Sequence, residues 1–296
     1  MRPSCLIIGA LSEDHIILGK GLRRAIGGTA YYFSAAFVGL GGEARCATKT
    51  DERWMIDALR SAGIETDQVL QGTPCLFELT YDGSARSLRL LRDSSTILGG
   101  DIREESRNCQ AVHLGPIERE LDPSIRELAD SFELSTLDVQ GLARAITPDT
   151  GEMGLVRGLT PRLLEWTSSV QVVKMGEAEA GALLGDPSQW PDSAAAILGD
   201  GNLREIVITL GPKGSVLIDE DESVRIPPYP SDPVDWTGAG DCYMAGFVYR
   251  RLQGYGSVDS CHFGSALAAC IIESERPIDF PSGDEVLCRM AQEPDE

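Results

Sequence analysis

Asp235-Trp236-Thr237-Gly238-Ala239-Gly240-Asp241 runs directly into an apolar stretch of helical pattern, Cys242–Leu252. Small residues ahead of a helix start permit backbone conformations and close approaches that a side chain would block, here at Gly238 and Gly240. The N–H groups of a first helical turn have no acceptor within the helix, so they present themselves to an anion. Asp241 brings a carboxylate to the same spot. An anion cradle beside a carboxylate suits a reaction in which a hydroxyl loses a proton and attacks a phosphoryl group. An acid at a helix start also caps the helix and complements its dipole. For Gly-x-Gly-Asp alone, that plainer reading is preferred.

The composition narrows the setting. At 296 residues the chain can bury a large core, as one α/β domain or a domain with an appendage. Asp and Glu number 46 against 26 Lys and Arg, a net charge of −20. Such a balance argues against nucleic acid or an anionic membrane as partner. The eight cysteines are scattered without a Cys-x-x-Cys pair, mostly in apolar surroundings where free buried thiols are common. Met1–Leu11 holds too short an apolar run for a signal peptide or a span. The expectation is a cytoplasmic protein. The three histidines, His15, His113 and His262, are too far apart in sequence to suggest a zinc site.

Short apolar runs alternate with helical patterns. Cys5–Ala10, Ala44–Thr48, Ala111–Leu114, Leu134–Val139, Val170–Lys174, Ile206–Leu210 and Ser215–Ile218 read as strands. Helices are predicted over Thr29–Gly39, Glu52–Ala62, Pro123–Ser131, Pro161–Thr167, Glu177–Leu184, Ser193–Leu198, Gly240–Leu252, Ser257–Ile272 and Asp284–Ala291. This alternation predicts a largely parallel sheet covered on both faces. Thr73–Ser95 departs from it, with strand-like Cys75–Tyr81 and Ser87–Leu91 around the turn Asp82-Gly83-Ser84. With the extended patch His15–Leu18 it forms either a small separate sheet or an edge extension of the main one.

The opening motif closely resembles the C-terminal motif of the ribokinase-like, or PfkB, family of carbohydrate and nucleoside kinases. Trp236 stands where that motif usually has a small residue or Pro, a change expected to alter pocket shape and not chemistry. The resemblance implies an α/β fold, a ribokinase-like three-layer sandwich with a mostly parallel central sheet and a small β lid. It implies one kinase domain over 1–296, with lid segments near 12–25 and 73–95. It makes Gly238, Ala239 and Gly240 the anion hole and Asp241 the catalytic base. An Asp of ordinary pKa, about 3.9, is a weak base towards an alcohol, so most of the catalysis is expected from charge stabilisation.

Further stretches match the family in order. Leu6–Asp14 resembles its opening strand and loop, which makes Asp14 the residue that bonds substrate hydroxyls. Gly27-Gly28-Thr29-Ala30-Tyr31-Tyr32 resembles its Gly-Gly segment. Gly28 permits close approach there, and Tyr32 replaces an Asn common in the sugar kinases. An aromatic ring there can stack on a substrate ring or pack in the core. Lys174–Ala180 resembles the segment whose Glu organises water around magnesium, a role that falls on Glu179. Gly176 replaces that segment's Asn. Ile208–Ser215 resembles the turn bordering the nucleotide, which implicates Thr209, Gly211 and Gly214. Leu137–Arg144 resembles a segment of the inositol-kinase branch. Gln140 and Arg144 are candidates there for substrate or phosphate, with a surface Arg as the plainer reading.

The implied cofactors are ATP and Mg2+, with a monovalent cation as a further candidate. The implied partners are a small-molecule hydroxyl acceptor and the nucleotide, with a homodimer formed through the lid. The expected activity is phosphorylation of a polyol, sugar or nucleoside hydroxyl, with an inositol-like acceptor favoured. A catalytically idle ligand-binding relative is the alternative, and the intact Gly238–Asp241 run argues against it. A Rossmann dehydrogenase is disfavoured because Leu6–Leu11 lacks the Gly-x-Gly-x-x-Gly turn.

Overall fold

The computed structural model describes residues 2–18, 21–82, 85–274 and 279–292. Its main sheet runs, in spatial order, Ser223–Ile226, Ser215–Ile218, Glu205–Thr209, Val172–Gly176, Leu134–Asp138, Ala111–Leu114, Ser4–Ile8, Glu43–Lys49 and Val69–Leu70. From Glu205–Thr209 to Val69–Leu70 every pairing is parallel, and the first two strands add antiparallel. Strands buried on both faces read as continuous apolar runs, because neither face meets water. Leu6, Ile8, Val112, Leu114 and Ile206 pack to one side, and Cys5, Ile7, Ala111 and Val207 to the other. This is the expected α/β sandwich.

A second sheet of four strands stands apart, in the order Gly21–Gly27, Ser12–Leu18, Cys75–Asp82, Ala85–Arg92. The extended patch and the hairpin therefore do join, as a lid and not as an extension of the main sheet. Residues 83 and 84 of the proposed turn lie outside the described residues. A short antiparallel pair, Arg144–Ile146 with Met153–Leu155, was not expected from the sequence. It reaches the lid through Leu90, whose N–H donates to the Gly151 carbonyl at 2.9 Å.

Two predicted helices change shape. Pro123–Ser131 is a 3₁₀ turn, Pro123–Ile125, followed by a four-residue helix, Arg126–Ala129. Ser193–Leu198 is displaced towards the N-terminus and observed at Trp190–Ala195. Pro191 in its first turn is already set for a helix start, and the buried Trp190 anchors it.

The helix carrying the acidic motif, Ala239–Leu252, has apolar neighbours nearly all round, so it shows no polar face. It packs on Ser257–Ile272 at a contact of small residues. A Cβ placed on Gly264 would sit 2.6 Å from the Tyr243 carbonyl oxygen, and one on Gly246 would sit 3.0 Å from the Gly264 Cα. Neither backbone atom can step aside. Gly264→Val is therefore expected to destabilise the fold by about 1–3 kcal/mol. The measurement is the urea midpoint, and an unchanged midpoint would contradict this packing.

Candidate active site

Gly238 precedes the helix with φ of 81°, a left-handed conformation that L side chains rarely adopt. A Cβ there would also meet the Tyr32 ring at 2.5 Å. Gly240 has no such backbone demand; what excludes a side chain is Lys174, whose Nζ would lie 2.9 Å from a Cβ. The Ala239 N–H already donates to the Trp236 carbonyl at 3.3 Å. The amides of Gly240 and Asp241 belong to the first turn and have no acceptor within the helix.

Asp241 accepts a hydrogen bond from Thr29 Oγ1 at 2.6 Å. Burial pushes its pKa up to about 6, the Asp138 charge adds to this, and the Thr29 bond and Lys174 oppose it. The ordinary value assumed from sequence is thus corrected: at pH 7 the carboxylate is ionised but well matched to take up a proton. Beside it lies a buried ion pair. Lys174 Nζ donates to Asp138 Oδ2 at 2.8 Å, and these residues are register partners on adjacent parallel strands. Burial alone would lower the lysine pKa, but the carboxylates of Asp138, Glu179 and Asp241 outweigh it and hold it above its ordinary value. Removing either member of such a pair leaves an uncompensated buried charge.

A cavity of about 510 Å³ opens over these groups. It is lined by Gly28, Asp138, Gln140, Lys174 and Asp241, by Asp14, Phe77, Leu79 and Leu88 from the lid sheet, and by Met153 and Leu155 from the short hairpin. Asp14 is buried on a lid strand and accepts from Ser12 Oγ at 2.8 Å. Five acidic residues line this cavity, Asp14, Asp138, Glu177, Glu179 and Asp241, against two basic ones, Arg144 and Lys174. A second cavity of about 250 Å³ is lined by Thr209, Gly211, Gly214 and Ala239 and by an apolar set including Pro228, Tyr229, Ala268 and Ile272. Among the described residues, Trp236 and Gly240 line both cavities, so the two spaces meet over the cradle.

Residues 145–282 match the family described as pfkB family carbohydrate kinase. That match spans a little under half of the chain. The protein is a phosphotransferase with an alcohol group as acceptor. Inositol 3-kinase of Arabidopsis thaliana is 23% identical over 272 residues, covering 90% of this chain and 73% of the relative. A nucleoside kinase of Methanocaldococcus jannaschii is 35% identical over 88 residues, 29% of each chain. Arabidopsis thaliana ribokinase, solved with ribose and ATP, superposes with a TM-score of 0.79 at 18% identity, covering 99% of this chain and 100% of that one. A pyrophosphate-dependent myo-inositol-1 kinase converted by mutation into a myo-inositol-3 kinase gives 0.79 at 19% identity, covering 97% and 98%. The fold is that of ribokinase.

The first cavity gathers Asp14, Gly28, Tyr32, Gln140, Arg144, Glu179, Gly238, Gly240 and Asp241, and the second gathers Thr209, Gly211, Gly214 and Ala239. Several placements differ in detail from the sequence reading. Asp14 lies on a strand and not in a loop. Tyr32 is 2% exposed and packs in the core against Gly238, so it presents little stacking face. Arg144 is no surface arginine: its guanidinium sits 5.4 Å from the Phe77 ring centre and donates to the Ile117 carbonyl. Glu179 Oε2 accepts from the Gly176 N–H at 2.6 Å, which orients the carboxylate at the start of its helix. Among the described residues no three His, Cys, Asp or Glu side chains are grouped to ligate a metal. No helix among them is long and apolar enough to cross a membrane.

Sequence reading missed Thr29, Asp138 and Lys174 as parts of the site. The signal was present: a Lys and an Asp each close an apolar run at the C-terminal edge of a parallel sheet, where ligands gather.

The Asp241 environment sets a pH dependence. Were Asp241 the proton acceptor it would have to be ionised, so kcat/KM would fall on the acid side with a midpoint near about 6. Stability has the opposite sign. Between about 3.9 and about 6 the folded state keeps a proton that the unfolded chain has lost, so stability falls as pH rises through that window. Asp241→Asn should therefore have a Tm at pH 8 equal to or above that of the wild type. A clear drop in Tm would show that the carboxylate stabilises the fold.

Proposed function

We propose that the protein transfers the γ-phosphoryl group of ATP to a hydroxyl of a small uncharged cyclic acceptor, an inositol in preference to a nucleoside. The observation that carries this reading is the junction of the two cavities. Asp241 lies on the acceptor side, the apolar slot on the donor side, and Gly240 and the Lys174 ammonium at the crossing. The acceptor hydroxyl would give its proton to Asp241 as its oxygen attacks phosphorus. The Gly240 and Asp241 amides and Lys174 would hold the negative charge on the phosphoryl oxygens.

The acidic lining fits a magnesium-bound donor, because phosphates entering beside five carboxyl groups must bring countercharge. Glu179 would hold the ion through water, and when bound it would neutralise phosphate charge. A monovalent cation remains a further candidate. The same lining supports a neutral acceptor over a sugar phosphate. A polyol ring would set its C–H face against Phe77, Leu79 and Leu88 and its hydroxyls towards Asp14, Gln140 and Arg144. The match to inositol 3-kinase along 90% of the chain supports the inositol choice. Three structural neighbours are described as pyrophosphate-dependent. The slot lined by Pro228, Tyr229, Ala268 and Ile272 favours ATP here, since pyrophosphate has no base to fill it. Residues 1–296 would act as one kinase domain. Self-association through the lid is the matching partner proposal, with Leu22, 61% exposed, on its outer strand. A cytoplasmic location accords with these substrates.

A donor and acceptor matrix tests the reading: ATP and pyrophosphate against inositols, nucleosides, ribose, fructose and fructose 6-phosphate. The highest kcat/KM is expected for ATP with an inositol. Efficient use of ribose or fructose with no inositol or nucleoside turnover would overturn the acceptor choice. On the true acceptor, Asp241→Asn should lower kcat roughly 10²–10⁴-fold while leaving ATP affinity nearly unchanged. Near wild-type turnover in the folded variant would remove Asp241 as the base.

A further inference from the structure

Gly240 and Trp236 border the crossing between the cavities very differently. Gly240 offers no side chain, whereas Trp236 offers the largest one a protein has, 48% exposed. Trp166 and Trp190 are core residues at 1% and 4%, and Trp54 is half-buried under the Arg24 guanidinium, 4.5 Å from its ring centre. The main chain around Trp236 is held firmly. The N–H groups of Val234 and Asp235 both donate to the Ile272 carbonyl, at 2.6 and 3.1 Å. The Asp235 carboxylate accepts from the Thr237 N–H at 2.9 Å, and the Trp236 carbonyl accepts from Ala239. The indole can therefore change rotamer over the crossing without any movement of the cradle. An exposed aromatic face also gains by being covered when ligands arrive.

We infer that Trp236 is the shutter of the phosphoryl crossing, a positioning residue that keeps water from the transferring group. The inference rests on the phosphotransferase reading above. Asp241 as a base cannot tell an alcohol from water, since either gives up a proton as its oxygen attacks. With water as nucleophile, a bond forms from the water oxygen to the γ-phosphorus and the bond from that phosphorus to the bridging oxygen breaks. The products are ADP and inorganic phosphate, and the water proton passes through Asp241 to solvent. The acidic cavity is polar and roomy enough to hold water beside that carboxylate. Discrimination must then come from exclusion, and Trp236 is the bulky apolar side chain that both cavities share.

Two measurements test this with the full chain. The first is ADP release at saturating ATP and magnesium without acceptor, for wild type, W236A and W236F. Acceptor-independent hydrolysis should rise roughly tenfold or more in W236A, about 1.4 kcal/mol of barrier, and stay near wild type in W236F. Trp236 is 48% exposed, so W236A removes little buried contact, and its Tm is checked alongside. The second is acrylamide quenching of tryptophan fluorescence. Accessibility in wild type should fall when a non-hydrolysable ATP analogue and the best acceptor bind together, and W236F should lose that change. Unchanged or lower hydrolysis in folded W236A overturns the inference, as does quenching that ligands do not alter. A wild type that phosphorylates no acceptor sinks the kinase reading itself, an outcome separate from a working kinase in which W236A hydrolyses ATP at the wild-type rate.

Discussion

The ion pair between Lys174 and Asp138, 2.8 Å apart beneath the first turn of the Ala239–Leu252 helix, is the interaction around which the site is organised. Two adjacent parallel strands place its members side by side at the carboxyl edge of the sheet. Taking both charges out of water is costly, and the pair offsets that cost only while both partners stay in place. The consequence is a cation held rigidly at the one point where Gly240 leaves room for it. The same pair tunes its surroundings. Asp138 helps to raise the Asp241 pKa, and Lys174 restrains that rise. A carboxyl group of raised pKa and a fixed positive charge thus share one buried arrangement.

Around this centre the molecule separates polar from apolar work. The sheet edge and helix start supply hydrogen-bonding groups and charge. The lid and the Arg144–Leu155 region supply apolar lining. Arg144 joins the two halves, with its guanidinium near the Phe77 ring and bonded to the Ile117 carbonyl. The cavity thus has both polar and apolar lining. The second cavity, walled by proline, tyrosine and small residues, is a different chemical environment, although Gly240 and Trp236 border both spaces.

Much of the fold was legible because its signals are local. Apolar runs such as Cys5–Ala10 and Ile206–Leu210 can only be buried strands or short buried helices, and their alternation with longer helical patterns selects a parallel sheet. The motif at Gly238–Asp241 was legible because a left-handed glycine and a helix start leave a fixed order of residue types. The Arg144–Ile146 and Met153–Leu155 strands were not legible. They are three residues each, and they pair because the lid lies alongside and not because of their own composition. Tyr32 was ambiguous for a related reason: an aromatic on a helix suits either core or cavity until the Gly238 backbone is seen to lie against it.

By itself the sequence determined the α/β class, the order of the elements, the acidic character and the glycine-rich turn ahead of the Ala239–Leu252 helix, since each depends on neighbours in the chain. Tertiary structure decided what those residues experience. It set Lys174 against Gly240, bonded Thr29 to Asp241 across 212 positions, and buried Asp241 enough to bring its pKa to about 6. Burial and charge proximity depend on distances in space between residues far apart in sequence, and residue types and spacing along the chain do not encode those distances.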